Sequence, residues 1–216
     1  MSDAAATSVT LCGFVDSIYT QVVRMALTAK AVPYELQHED PFETSAAGSH
    51  PFGRVPVLKH GAFTLYETGA ITRYIERAFS GVCLVPDAAT SLARMDQVIA
   101  MADNYAYWPM VRQAYAHGVV RPQAGVISDM AQVDAGLAAA DPVLAQLDHI
   151  ATEGHVLNGL RITLADCQLA PMVAALAQLP AGRAQIARHW ALNSWLNWIS
   201  HSRVFRQAVP EAAGLT

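Results

Sequence analysis

The sequence predicts an α/β domain followed by an all-helical domain, and two patterns support that prediction. Strand-like runs alternate with amphipathic helical segments over the first 80 residues, whereas the chain after about residue 90 has helical periodicity alone. Between them, residues 80–90 (SGVCLVPDAAT) carry Gly, Pro and Asp, which are typical of a connecting segment. We therefore expect a first domain at residues 1–80, a linker at 81–90 and a second domain at 91–216.

The first domain begins with the order strand, helix, strand. Residues 9–15 (VTLCGFV) form a short apolar run of strand-forming residues. Apolar side chains then recur at helical spacing from residue 18 to residue 31, and Pro33 ends the pattern. Residues 34–38 (YELQH) alternate as a second strand does. This series predicts two parallel strands joined by a right-handed crossover.

A hairpin and a helix complete the first domain. Residues 56–59 and 63–66 are short strand-like runs separated by His60-Gly61, which is a turn signal. The apolar residues of segment 71–79 recur at the spacing of one helix face, which predicts an amphipathic helix packed on a sheet. The predicted order is therefore βαβ followed by ββα.

Proline interrupts the two longest helical segments of the second domain. Residues 91–117 predict a long helix that is kinked about one turn before Pro109. Residues 128–153 predict a second long helix, which Pro142 either kinks or splits.

The remaining helices of the second domain are shorter. Thr163 and Asp166 have the spacing of a capping box, which predicts that a helix begins there. Two further helices are predicted at residues 183–189 and 193–201, and residues 211–216 (EAAGLT) are predicted to be a tail.

Composition excludes several classes of function. The chain is 53% hydrophobic, with 14 Lys plus Arg against 18 Asp plus Glu and a net charge of -4. No basic cluster is available to neutralise phosphates, so nucleic acid is not an expected partner. No apolar run is long enough for a membrane helix and the start does not resemble a signal peptide, so the cytoplasm is expected. The scattered Cys12, Cys83 and Cys167 indicate neither a disulfide framework nor a metal site, and we expect them to be buried.

Ser17 is the candidate catalytic residue. It follows the first strand where the first helix begins, so its hydroxyl lies beside unpaired N–H groups and the positive end of a helix dipole. A bound thiolate would be stabilised there, with Ser17 donating a hydrogen bond to sulfur. The alternative is that Ser17 is simply an N-cap, and Tyr19 and Thr20 are neighbouring hydroxyls that could take the same role.

Two further groups could hold a peptide-like ligand. Val55-Pro56 opens a strand, and a cis bond there would turn the backbone of Val55 outward, although a trans proline at an edge strand is the far commoner case for X-Pro bonds. Glu67 and Thr68 lie at a strand-to-helix junction, where they could bind the ammonium and carboxylate of an amino acid. The alternative is a helix cap by Thr68, with Glu67 compensating the dipole.

Four segments in this order resemble the cytosolic glutathione transferases, most closely the phi-type and related bacterial serine members: SIYTQVVRMAL, HPFGRVPVL, LYETGAITRYIE and TLAD. The resemblance implies a thioredoxin-like first domain, an all-helical second domain and a homodimer. It implies that Pro56 is cis, that Val55 pairs with the cysteinyl backbone of glutathione, and that Ser17 contacts the sulfur. Glu67 and Thr68 correspond to the pair that holds the γ-glutamyl end.

One part of the resemblance fails. Phi-type members place a His-Lys pair ahead of the turn to hold the glycyl carboxylate, whereas this chain has the acidic stretch 40–43 (DPFE). His38, His50 or Arg54 could substitute, although each is expected to be a solvated loop residue. Arg54 is included among the predicted glutathione-binding residues. His50 replaces the Asn usual in that turn.

The second substrate is expected between Ser17 and the helix that contains Pro109. Four side chains share roughly one face of that helix: Tyr105, Trp108, Arg112 and Tyr115. They could receive a flat apolar electrophile, with Arg112 beside a polar substituent. Aromatic residues at helical spacing are also typical of a core or a dimer interface.

The resemblance implies an enzyme that conjugates the glutathione thiolate to a hydrophobic electrophile. Glutathione is then a substrate, and neither a cofactor nor a metal is expected. A glutathione-dependent peroxidase or isomerase, or a transferase-like binding protein without catalysis, remains an alternative.

Overall fold

A computed structural model describes residues 8–42 and 48–209. The chain divides into two compact units between Cys83 and Leu84. That division falls inside the predicted linker, and the first helix of the second unit begins at Ala89. The predicted tail and Glu43 of the acidic stretch lie outside the described residues.

The first unit has the predicted element order. Its six elements are β1 (Val9–Gly13), α1 (Ile18–Ala29), β2 (Glu35–His38), β3 (Val57–His60), β4 (Phe63–Tyr66) and α2 (Thr68–Ala78). The sheet order is β2-β1-β3-β4. Strand β1 pairs in parallel with β2 and antiparallel with β3, which pairs antiparallel with β4. The predicted βαβ and ββα halves are therefore both present.

A buried ion pair joins the two helices of the first unit. The Lys30 ammonium at the end of α1 lies 3.2 Å from a carboxylate oxygen of Glu76 on α2, and both side chains are almost fully buried. The same ammonium donates to the Glu76 carbonyl oxygen at 3.4 Å. Breaking a buried pair leaves an uncompensated charge, so this contact fixes α1 against α2.

The second unit is all-helical. Its elements are α3 (Ala89–Met101), a π-helical segment (Ala102–Val120), α4 (Arg121–Gln123), α5 (Met130–Thr152), α6 (Leu164–Ala177), α7 (Pro180–Ala187), α8 (Trp190–Ser200) and α9 (Arg203–Ala208). Pro142 lies inside an unbroken α5, so the helix is not split. Helix α9 was not predicted from the sequence.

The segment around Pro109 differs from the predicted kinked α-helix. Residues 102–120 are π-helical, with hydrogen bonds between positions five apart. A proline lacks the N–H of the α-helical ladder and crowds the preceding turn, so a wider ladder accommodates it. Helix α5 approaches closely here, because a Cβ on Gly136 would lie 2.6 Å from the Pro109 carbonyl oxygen.

Helix α6 is the buried centre of the second unit, and the predicted capping box begins it. Asp166 is fully buried, and its Oδ2 accepts hydrogen bonds from the N–H and the hydroxyl of Thr163 at 2.7 Å and 2.6 Å. Its Oδ1 accepts a 2.7 Å bond from Trp195 Nε1 on α8. One carboxylate therefore caps α6 and attaches α8 to it.

The expectation for the cysteines is correct in two cases and wrong in the third. Cys12 and Cys167 are buried, but Cys83 is exposed. Cys83 ends the first unit, where its thiol donates to Glu76 Oε1 at 3.2 Å. Because the Cys83 thiol acts here as a hydrogen-bond donor, it is not driven into the core as an apolar side chain would be.

No helix among the described residues is long and apolar enough to cross a membrane.

Trp195→Phe should lower the free energy of unfolding by about 1–3 kcal/mol, because it leaves one oxygen of a buried carboxylate without its donor. Thermal unfolding measures the loss. Trp190→Phe is the matched control, since Trp190 is 78% exposed, and its effect should stay within about 0.5 kcal/mol. Equal effects of the two substitutions would contradict the role given to Asp166.

Candidate functional site

The register of the sheet places three candidate segments at one edge. Val57, the first residue of β3, is opposite Cys12 of β1 and Tyr66 of β4. The chain leaves β1 at this edge toward α1, enters β3 here after Val55-Pro56, and leaves β4 here toward α2. His38, the last residue of β2, is opposite Gly13 at the same edge. The predicted thiol and amino-acid contacts therefore lie along one edge of one sheet.

Ser17 is the N-cap of α1. Its backbone is extended, and its hydroxyl oxygen accepts a 3.3 Å hydrogen bond from Thr20 N–H. The N-cap prediction is confirmed, and it does not exclude the thiolate role. The oxygen is the acceptor in this bond, so the hydroxyl proton can still be donated to a ligand.

The two alternative hydroxyls differ in accessibility. Thr20 is fully buried, and its Oγ1 lies under Gly13, where an added Cβ would be only 2.5 Å from it. A ligand cannot reach that hydroxyl. Tyr19 is half-buried and remains the only neighbouring alternative that the sequence named.

The Val55-Pro56 peptide bond is cis, as the resemblance implied. Pro56 is buried, Val55 is half-buried and Arg54 is exposed. Strand β3 begins only at Val57. The backbone of Val55 therefore lies just outside the sheet, in the position expected of a ligand-pairing residue.

Glu67 lies at the cap position of α2 but does not cap the helix through its side chain. Thr68 is the first residue of the helix, so the predicted cap by Thr68 is wrong. The Glu67 backbone has a φ of 69°, which a residue with a side chain rarely adopts. Its carboxylate side chain is 63% exposed. A strained residue with an exposed carboxylate, at a helix start, is typical of a ligand site.

His50 is buried, which contradicts the expectation of a solvated loop residue. Its Nδ1 accepts a 3.0 Å hydrogen bond from Phe52 N–H, and its carbonyl oxygen accepts one from Gly53 N–H at 3.1 Å. Its Nε2 lies 3.9 Å from Glu67 Oε1. Burial, and secondarily the charge of Arg54, lower the pKa of His50 against the opposing effect of Glu67.

The carboxylates of the acidic segment after β2 accept hydrogen bonds from the protein's own donors. Glu39 Oε1 accepts a 2.6 Å hydrogen bond from the Ser49 hydroxyl, and Oε2 accepts from Ser49 N–H at 3.0 Å. Burial opposes ionisation, but these bonds hold the pKa of Glu39 below its usual value. Asp40 accepts from Phe42 N–H at 2.9 Å. Both carboxylates therefore organise their own loop.

The four predicted side chains of the second-substrate pocket lie on the π-helical segment of the second unit. Tyr105 and Trp108 are 63% and 62% exposed. Arg112 is also exposed, and Tyr115 is half-buried. The alternative of a position in the chain's own core does not fit Tyr105 and Trp108.

The sequence did not predict an aromatic cluster of His50, Phe52 and Tyr66, whose His50 ring lies beside Glu67. The His50 ring lies 5.0 Å from the Tyr66 ring and 5.8 Å from the Phe52 ring, measured between centroids. Phe52 and Tyr66 meet edge to face at 6.2 Å. The available signal was the position of His50, two residues before a backbone N–H that a turn leaves for a side-chain acceptor.

The fold and this edge define a thioredoxin-like α/β protein with an all-helical second unit. Residues 11–82 match the family profile of the glutathione S-transferase N-terminal domain. Glutathione S-transferase hmp2 of Hypomyces subiculosus is 28% identical over 203 residues, which are 89% of this chain and 94% of that protein. Glutathione S-transferase F11 of Arabidopsis thaliana is 27% identical over 168 residues, 76% of this chain and 77% of that protein.

Solved structures agree on the fold. The apo structure of glutathione S-transferase III superposes with a TM-score of 0.83 at 24% identity, over 95% of this chain and 97% of that one. Residues 11–82 thus match a glutathione S-transferase N-terminal domain, and the chain is similar to phi-type glutathione S-transferases.

Glu67→Gly should raise the free energy of unfolding by about 1 kcal/mol, because glycine adopts a positive φ without the strain of a side chain. Chemical denaturation measures the gain. Ala31→Gly is the positive control, since Ala31 follows the end of α1, also has a positive φ (54°) and should show a similar gain. No gain at either position would contradict the strain assigned to Glu67.

Proposed function

We propose that this chain is a glutathione transferase that adds the glutathione thiolate to a hydrophobic electrophile. The observation that carries the proposal is the Ser17 hydroxyl, which lies at the N-terminus of α1 with its proton free to be donated. A helix N-terminus and a hydroxyl donor together favour the charged form of a bound thiol. At neutral pH the bound thiol is then a thiolate, the nucleophilic form, whereas free glutathione is mostly protonated.

The reaction is a displacement or an addition at an electrophilic carbon, with sulfur as the attacking atom; in an addition the π electrons of the electrophile move to the neighbouring atom, which takes a proton from solvent. The thiol first loses its proton to solvent. The sulfur lone pair then forms the carbon–sulfur bond, and in a displacement the leaving group departs with the electrons of the bond that breaks. Sulfur provides the nucleophile, and the protein lowers its pKa and brings the two reactants together.

The remaining contacts follow the sheet edge. Val55 pairs its backbone N–H and C=O with the cysteinyl residue of glutathione. Glu67 binds the γ-glutamyl ammonium, and Thr68 with the first N–H groups of α2 binds the adjacent carboxylate. The exposed carboxylate of Glu67 and its freedom from capping support this assignment.

Arg54 is our candidate for the glycyl carboxylate. It is exposed and precedes Val55, which holds the middle of the ligand. His50 is unsuited to that role, because it is buried and its Nδ1 already accepts from Phe52 N–H.

We assign the electrophile to the second unit. Tyr105 and Trp108 present aromatic surface, and Arg112 offers a cation for a polar substituent. Exposed aromatic side chains with one polar group nearby suit a flat apolar molecule. We further propose a cytoplasmic homodimer, in which the 71% exposed Phe52 provides an apolar anchor.

A binding protein without catalysis is the second candidate. The carboxylates of Glu39 and Asp40 follow β2, where phi-type members carry cations, and that difference disfavours a ligand with a glycyl carboxylate. Retention on immobilised glutathione together with conjugation of an aromatic halide separates the candidates. Absence of retention would exclude the transferase.

Ser17→Ala should raise the pKa of bound glutathione by about one to two units, because a hydrogen bond to a charged group is worth about 1.5–3 kcal/mol. The conjugation rate at neutral pH should fall about 10- to 100-fold, as the pH–rate profile would show.

Ser202→Ala is the matched control for this substitution. Ser202 caps α9 by accepting from Phe205 N–H at 3.1 Å, so both variants lose an N-cap worth about 1 kcal/mol. Only Ser17→Ala should shift the profile. An unshifted profile in Ser17→Ala would move the thiolate contact to Tyr19, which Tyr19→Phe would then test.

A further inference from the structure

His50 bridges the two segments that we assign to the ligand. It stands in the turn that leads to Val55-Pro56, and its ring reaches the strained Glu67 at the start of α2. The ring is buried between Phe52 and Tyr66, at centroid distances of 5.8 Å and 5.0 Å.

The hydrogen bond within the turn defines the protonation of this ring. Nδ1 accepts from Phe52 N–H, so Nδ1 carries no proton. In the neutral ring the proton therefore resides on Nε2, the nitrogen 3.9 Å from Glu67 Oε1. The neutral ring thus accepts from the turn and presents a weak donor to the carboxylate.

Protonation would disrupt both contacts. A proton on Nδ1 would face the N–H of Phe52, so the turn would lose its acceptor and two donors would oppose each other. The imidazolium would also place a positive charge beside the Glu67 carboxylate, where the ligand ammonium is to bind. Each effect weakens the ligand site.

We propose that His50 is a positioning residue that keeps the 50–53 turn and the Glu67 carboxylate in their binding arrangement only while its ring is neutral, so that ligand affinity falls in acid. This inference rests on the proposed binding of glutathione at the sheet edge. His50 does not contact the reacting atoms.

Three groups on separate elements face the ring, and burial outweighs the one that opposes it. The turn contributes Arg54, β4 contributes the Tyr66 ring, and α2 contributes Glu67. Burial and Arg54 lower the pKa of His50 below its ordinary value of 6.5, while Glu67 opposes them. Because the pKa in the folded protein is lowered, the stabilising contacts are complete above about pH 6.5 and are lost as the pH falls through the lowered pKa.

The test uses S-methylglutathione, which has no thiol, so Ser17 and thiol ionisation do not enter the result. Calorimetry gives its Kd from about pH 7.5 to about pH 5.5, the range in which histidine titrates. For the wild-type chain we expect affinity to fall about tenfold across this range, the equivalent of one net hydrogen bond.

His50→Asn is the informative variant. The amide oxygen of Asn can accept from the N–H two residues on, as in an Asx turn, but Asn does not titrate. Its affinity should stay constant over the same pH range and match the wild-type chain near pH 7.5. His50→Ala should bind about tenfold more weakly than the wild-type chain near pH 7.5, with no further loss in acid, since the turn has already lost its acceptor.

His201→Asn is the control, since His201 is an exposed histidine in the second unit with no assigned role at the sheet edge. It should keep the wild-type pH dependence. A fall in affinity with acid that persists in His50→Asn overturns the positioning role and leaves the transferase proposal standing. Absence of S-methylglutathione binding to the wild-type chain at all pH values overturns the proposed function, and this inference with it.

Discussion

Strand β3 is hydrogen-bonded on both sides, and its register decides where the polar groups of the site lie. Val57 is opposite Cys12 of β1 and Tyr66 of β4, so the turn before β3 and the helix starts after β1 and β4 are at one edge. A shift of one residue would move the half-buried Lys59 into the position of the buried Leu58. Burial of apolar strand residues thereby fixes the positions of Ser17 and Glu67.

Both helices of the first unit begin at this edge, and their ends are tied together by the buried Lys30–Glu76 pair. Each helix N-terminus carries partial positive charge and unpaired N–H groups. At α1 the serine hydroxyl already caps the helix, whereas at α2 the side chain at the cap position is left exposed. The start of α1 therefore suits a thiolate, which needs a single donor. The start of α2 suits an amino-acid group, which carries both a positive and a negative charge.

Local patterns were enough to predict the strands, the hairpin and the Thr163–Asp166 box, because each depends on residues close in sequence. The contacts that were missed are made between distant segments. The Tyr66 ring lies against the buried His50, and Trp195 donates to Asp166. The π-helical segment contains Pro109 and lies close to Gly136 of α5. The contact with α5 cannot be recognised from the local sequence. The fold class was predictable for this reason, whereas the contacts of His50 beside the candidate site were not.

The acidic segment after β2 changes how binding energy is distributed along the ligand. The hydrogen bonds from Ser49 keep Glu39 ionised, so a glycyl carboxylate would approach a negative charge instead of the cations of phi-type members. Repulsion at this end is screened over about 8 Å at physiological ionic strength, which weakens it without removing it. In the proposed mode of binding, Val55, Arg54 and Glu67 would supply the compensating attraction. The γ-glutamyl end would then contribute more of the binding energy, and the buried His50 lies 3.9 Å from the Glu67 carboxylate proposed to receive it.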